Sequence, residues 1–141
     1  MPLISIAVSL TLGVWLLGKI TPVGLAQAGF AVASLAMLGL WVCWGQGAPM
    51  VSFTFVMAAA LGIVQGASFA SIPFLNSTAD DRAGAAGAVA QLGNLGTTTG
   101  TPLLAWILTQ SGVAGLAAFV IPFCVLGIVL HAVQKRRRDG L

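Results

Sequence analysis

Charge is scarce in this sequence. Of its 141 residues only 6% are Asp, Glu, Lys or Arg, against the roughly 25% carried by a water-soluble domain. Together with 58% hydrophobic residues and a mean hydropathy of +1.02, that deficit excludes a water-soluble globular protein. Catalytic signatures are missing as well: there is no HExxH, no GxSxG and no pair of carboxylates inside an apolar run, so the chain does not read as an intramembrane enzyme. Cys43 and Cys124 stand alone within apolar segments, without CxxC or His/Cys spacing. They read as small buried hydrophobes, and no metal or cofactor is expected. The start, Met-Pro-Leu-Ile, lacks the positive n-region of a secretory signal, so the first apolar run is expected to be retained as a membrane helix.

The few charges are placed unevenly. Asp80, Asp81 and Arg82 form one cluster, Lys135 to Asp139 another, and only Lys19 lies elsewhere. Both uncharged stretches between them far exceed the ~18 to 20 apolar residues that span a bilayer. The fold class expected is therefore an all-α, multi-pass transmembrane bundle in a single membrane domain, residues 1–141. The formal charge of +3 comes from the terminal Lys-Arg-Arg-Arg run, which reads as a topology anchor and not as a nucleic-acid surface. A lipid-specific site at that tail is the alternative.

Backbone amides cannot go unpaired in hydrocarbon, so each apolar run must be helical, with Gly, Pro and polar clusters marking the breaks. About five helices result: 2–18, 22–44, 49–75, 83–108 and 113–134, with a basic tail at 135–141. Thr21 is placed to cap the second helix and Pro22 to occupy its first turn. Gln110-Ser111-Gly112 turns the chain between the fourth and fifth, and Pro122 should kink the fifth. Five crossings put Lys19, Arg82 and the tail on one side. Because Lys and Arg prefer the cytoplasm, the C-terminus is expected to be cytoplasmic, in a plasma or inner membrane, with the chain start outside. Trp41, Trp44 and Trp106 then form the outer aromatic belt and Trp15 the inner one.

Polar side chains separate the helices into two kinds, since amides are costly in lipid and should face protein or water. Gln65, Ser68 and Asn76 share one face of the third helix. Gly84, Gly87, Gln91, Asn94 and Thr98 form a small, polar stripe along the fourth. Gln65, Ser68, Gln91, Asn94 and Thr98 are thus candidates to line a substrate cavity, with interhelical hydrogen bonding as the competing role for the amides. Thr97, Thr98 and Thr99 are also placed to satisfy their own helix backbone before Pro102. The second and fifth helices, poor in amides, are expected to face lipid. Gly62-x-x-x-Gly66 and Gly96-x-x-x-Gly100 are packing motifs that admit a second backbone. Asp80, Asp81 and Arg82 are candidates for a helix cap or ion pair in the one charged internal loop. His131, within about one turn of the tail, reads as an interfacial side chain.

Three segments carry a resemblance: Gly62-Ile63-Val64-Gln65-Gly66-Ala67-Ser68-Phe69; Asp81-Arg82-Ala83-Gly84-Ala85-Ala86-Gly87; and Gln91-Leu92-Gly93-Asn94-Leu95-Gly96 with Gly100-Thr101-Pro102. Together they resemble the tenth and eleventh helices of major facilitator superfamily transporters, and the whole chain is similar to that family's helices eight to twelve. The resemblance implies cytoplasmic termini, peripheral ninth and twelfth helices, and a solute site between two six-helix halves near the midplane. The family's Gly-rich motif in loop eight-nine is reduced here to Gly18-Lys19. On this reading the chain is the C-terminal portion of a permease that works by alternating access on a small solute. It would not be competent alone, and the missing N-terminal helices or a partner chain would complete it. No Asp, Glu or Lys falls at the expected midplane, so any proton-coupling carboxylate would lie in the missing part. The rival expectation is a small multi-pass interaction or assembly subunit without transport activity.

Overall fold

The computed structural model describes residues 2–139, with side chains at all of these but 2, 4, 138 and 139. Met1 and the last two residues assigned to the tail lie outside the described residues. Every regular element among those described is helical. The chain opens with α1, Pro2–Val8, continues through a π-helical turn, Ser9–Gly13, and ends this segment with α2, Val14–Leu17. What reads in sequence as one helix over 2–18 therefore contains a local widening of its coil.

α3 spans Pro22–Val42 and begins as its sequence prescribes: Thr21 Oγ1 accepts a hydrogen bond from the Gly24 amide at 3.2 Å, with Pro22 in the first turn. Gly47, with φ +62°, ends the connecting turn, a backbone conformation that L side chains rarely adopt. α4 then covers Ala48–Leu75, and Pro73 near its end removes one donor from the helical ladder.

The last element, α5, spans Ala79–Asp139. It starts four residues before the expected Ala83 because Thr78 caps it. The Thr78 hydroxyl accepts from the Asp81 amide at 3.1 Å and donates to the Asp81 carboxylate at 2.6 Å. α5 is bent at Gly112, whose φ of 62° and ψ of −165° are not helical and belong to a region essentially restricted to glycine. Ala85 and Val89 line the same cleft as His131 and Arg137. A straight helix would hold Ala85 and His131 roughly 69 Å apart at 1.5 Å per residue. Residues 113–139 therefore run back alongside residues 79–111.

Three helices, Pro22–Val42, Ala48–Leu75 and the long stretch Ala79–Arg137, are long and apolar enough to cross a membrane, and a shorter apolar helix covers Ser5–Leu17. Large apolar side chains are exposed on all of them, among them Leu10, Leu35, Val42, Leu92 and Phe123. A soluble monomer does not tolerate that much apolar surface in water; a bilayer supplies the matching solvent.

The core lies along α3. Leu25 and Ala26 pack against Ala67 of α4 and Leu16 and Leu17 of α2. Ala33 meets Ala60 and Cys124, and Met37 and Leu40 meet Ala117, with Phe53 and Met57 of α4 against them. Gly29 lies so close to α4 that a Cβ there would press on the Ala60 carbonyl and Val64. The expectation that this helix faces lipid holds for one side only: Val32, Leu35, Leu38 and Val42 are exposed, while the other side sits between α4 and residues 113–139. A helix that is apolar all round carries no periodic signal to show which side is covered, and the small residues Ala26, Gly29, Ala33 and Ala36 decide it by admitting neighbours. Gln27 donates from Nε2 to the Ile128 carbonyl at 3.2 Å, so an interhelical amide bond is made here.

Candidate functional site

The residues singled out by polarity lie along the gap between α4 and residues 79–111. On α4, rows of three and four residues align Gln65, Ser68 and Ile72. From the opposite wall, Asn94 lies fifteen residues after the start of α5 at Ala79 and eighteen before its bend at Gly112, which puts it about midway along that limb. Gln65, Ser68 and Asn94 meet at one cleft of about 510 Å³, joined by Phe69, Val89, Ala90, Gly93 and Thr97. Gln91 and Thr98 do not line it; both are exposed. Each residue along a helix turns the side chain by about 100°, so the row from Asn94 that follows the cleft passes through Thr97 and not Thr98.

The chemistry of this cleft is neutral. Ser68 Oγ donates to the Val64 carbonyl at 2.7 Å and Thr97 Oγ1 to the Gly93 carbonyl at 2.9 Å, so each hydroxyl has spent its proton and offers lone pairs only. The primary amides of Gln65 and Asn94 offer both donors and acceptors. Phe69 and Val89 supply apolar surface. Thr98 and Thr99 also bond back to their own helix, at the carbonyls of Asn94 and Leu95, as expected of threonines ahead of a proline.

A second, larger cleft of about 730 Å³ adjoins the first through Ser68 and Val89 and runs to the end of the bundle that carries Arg137. In sequence only its tail end shows, as the alternative of a lipid-specific site there, because its lining comes from three helical segments distant in the chain. A possible signal was the recurrence of polar side chains every third residue at His131, Gln134 and Arg137.

The packing glycines divide. Gly62 and Gly66 face the N-terminal segment, where a Cβ at either would overlap Ser5 or Ser9; Ser5-x-x-x-Ser9 thus mates with Gly62-x-x-x-Gly66, small against small. Around Gly96 and Gly100, and around Gly84, Gly87 and Gly93, nothing lies within 4 Å of where a Cβ would be. In the charged loop, Asp81 serves in the Thr78 cap. Arg82 donates from Nε to the Asn76 carbonyl at 2.9 Å, with Nη2 3.4 Å from that of Ser77, closing the turn between α4 and α5. Asp80 is exposed in the first turn of α5, where a carboxylate suits the positive end of the helix dipole.

The cations share one end. Gly62 and Gly66 meeting Ser5 and Ser9 in order makes α1 run parallel to α4, which carries Lys19 toward the C-terminal end of α4, where Arg82 binds the Asn76 carbonyl and Arg137 lines a cleft with Asn76. There Lys19 Nζ sits 4.1 Å from the centre of the Trp15 ring, a cation–π contact. The chain matches no family profile, no curated protein and no solved structure.

Proposed function

We propose that this chain is the C-terminal portion of a secondary transporter of the major facilitator type, contributing one wall of a cavity for a small, neutral, polar solute. The observation that carries this reading is the convergence of Gln65, Ser68 and Asn94, from two helices, on one uncharged cleft of about 510 Å³ midway along the bundle. That volume falls within the roughly 300–1,000 Å³ of small-molecule sites. With the hydroxyls limited to accepting, the preferred solute brings N–H or O–H donors of its own. Gln91 and Thr98, one or more positions off the cleft, would contact solute only from a second wall.

Counting residues 79–111 and 113–139 as separate crossings, and adding the N-terminal segment, gives five. The shared end of Lys19, Arg82 and the tail is then cytoplasmic by the distribution of Lys and Arg, in a plasma or inner membrane. Alternating access needs one bundle to rock against another, so this chain transports only when further helices or a partner chain complete it.

The test is the size of the product in native membranes, detected with an antibody against residues 135–141, followed by solute uptake. A product several helices larger than 14.3 kDa, whose uptake falls at least ~10-fold in Asn94→Leu through loss of a hydrogen bond to the solute, supports the reading. A 14.3 kDa product that drives no uptake with any copurifying chain sinks it. That result would favour the second reading, a membrane assembly subunit, for which the unpacked glycines Gly93, Gly96 and Gly100, on one face of the helix, are the specific argument.

A further inference from the structure

The larger cleft has a different character from the solute site. Its long walls are apolar, with Ile72 and Leu75 of α4 facing Val89 and Leu92 of α5. Of its polar lining, Ser68 and Ser71 of α4 and Asn76 at its end bond back to that helix, while His131, Gln134 and Arg137 follow one another every third residue on the facing segment. Arg137 is the single permanently charged side chain that lines it, and no carboxylate does so among the described residues. His131 is fixed in place: Nδ1 lies 2.8 Å from the Gly127 carbonyl, and its ring stands 5.7 Å from that of Phe30.

An apolar trough of about 730 Å³ closed at one end by a guanidinium fits an amphiphile with an anionic head. A free inorganic anion would leave the four aliphatic walls unused, and a neutral lipid would leave Arg137 unpaired. Lys19 and Arg82 add positive potential at the same end of the bundle, where headgroups lie and where basic pockets between membrane helices attract anionic lipids.

We propose that the cleft between α4, residues 85–92 and residues 131–137 binds an anionic phospholipid. Its phosphate pairs with Arg137 and hydrogen-bonds Gln134, and one acyl chain lies between Ile72 and Leu75 on one side and Val89 and Leu92 on the other. Arginine suits this task, since its planar fork holds a phosphate through two N–H groups at once. The inference needs the membrane setting only, not transport. The lipid would act as a wedge, holding residues 79–111 against α4 where protein contacts are few.

The experiment is native mass spectrometry of the full chain in neutral detergent, titrated with phosphatidylglycerol and with phosphatidylcholine of the same chains. One phosphatidylglycerol should be retained roughly tenfold more tightly than phosphatidylcholine. Arg137→Gln should abolish most of that preference, in proportion to a charge-assisted hydrogen bond. Arg136→Gln, one residue away and outside the lining, should preserve it. Leu92→Trp, on an exposed limb whose fold does not depend on that side chain, should expel the lipid by filling the trough while leaving the helical circular dichroism unchanged. Equal retention of the two lipids overturns the proposal, as does an equal loss in Arg136→Gln, which would reduce the effect to general attraction by the tail. Displacement of phosphatidylglycerol by millimolar inorganic phosphate also overturns it, leaving a simple anion site.

Discussion

α3 and residues 79–111 are built from similar residues and behave in opposite ways. Both are rich in Ala, Gly and Leu, yet α3 buries Val23, Leu25, Ala26, Gly29, Ala33, Ala36, Met37 and Leu40, whereas none of residues 79–111 is buried. The more polar of the two is the more exposed, so in this bundle polarity does not measure distance from the core. Covering follows from whether a small-residue face has met a neighbour. The α3 face has met α4 and residues 113–139; around Gly93, Gly96 and Gly100 nothing comes within 4 Å of where a Cβ would be.

Substitutions at matched glycines test that contrast most directly. Gly29→Leu should cost about 1–3 kcal/mol, the usual range for overpacking, because its side chain would enter α4 at the Ala60 carbonyl; thermal unfolding in detergent followed by tryptophan fluorescence measures it. Losing the interhelical amide bond of Gln27 comes next. Gln27→Leu should destabilise by about 0.6–1.7 kcal/mol, while Gln91→Leu should leave stability unchanged. Thr21→Ala removes the α3 cap and should cost about 1 kcal/mol, seen as faster hydrogen exchange at Val23 and Gly24. The smallest effect belongs to Gly96→Leu, expected within about 0.5 kcal/mol of wild type. Should Gly96→Leu match Gly29→Leu in the same assay, the face is already occupied in the isolated chain, and the contrast between the two regions collapses.

Much of the helix layout was legible from residues with a single local meaning. Thr21 and Pro22 mark the start of α3, Asn76 follows the end of α4, and Gly112 breaks the last helix where a turn was expected. The α5 start was misplaced because Thr78-x-x-Asp81 is a capping pair lying inside what reads as a polar loop. The π-helical turn at Ser9–Gly13 had no sequence signal, since its residues suit an ordinary helix equally well. At the site, the pairing of Gln65 and Ser68 with Asn94 followed from polarity on facing helices. The substitution of Thr97 for Thr98 depends on helix rotation, which a chain of small residues leaves undetermined. The role of α3 was hidden for the reason that makes it central: a uniformly apolar helix announces its length and conceals its neighbours.

The bend at Gly112 also bears on the order of assembly. α3 and α4 are joined by the short turn between Val42 and Ala48, so their pairing closes a small loop and comes early. Docking of residues 113–139 onto α3 closes a far longer one, to which residues 79–111 contribute the stretch outside the packed core. Closure entropy rises only with the logarithm of length, so that limb adds little to the cost of docking while adding few contacts in return. Kinetically it is slack, and it settles last, after the three packed segments have fixed both of its ends.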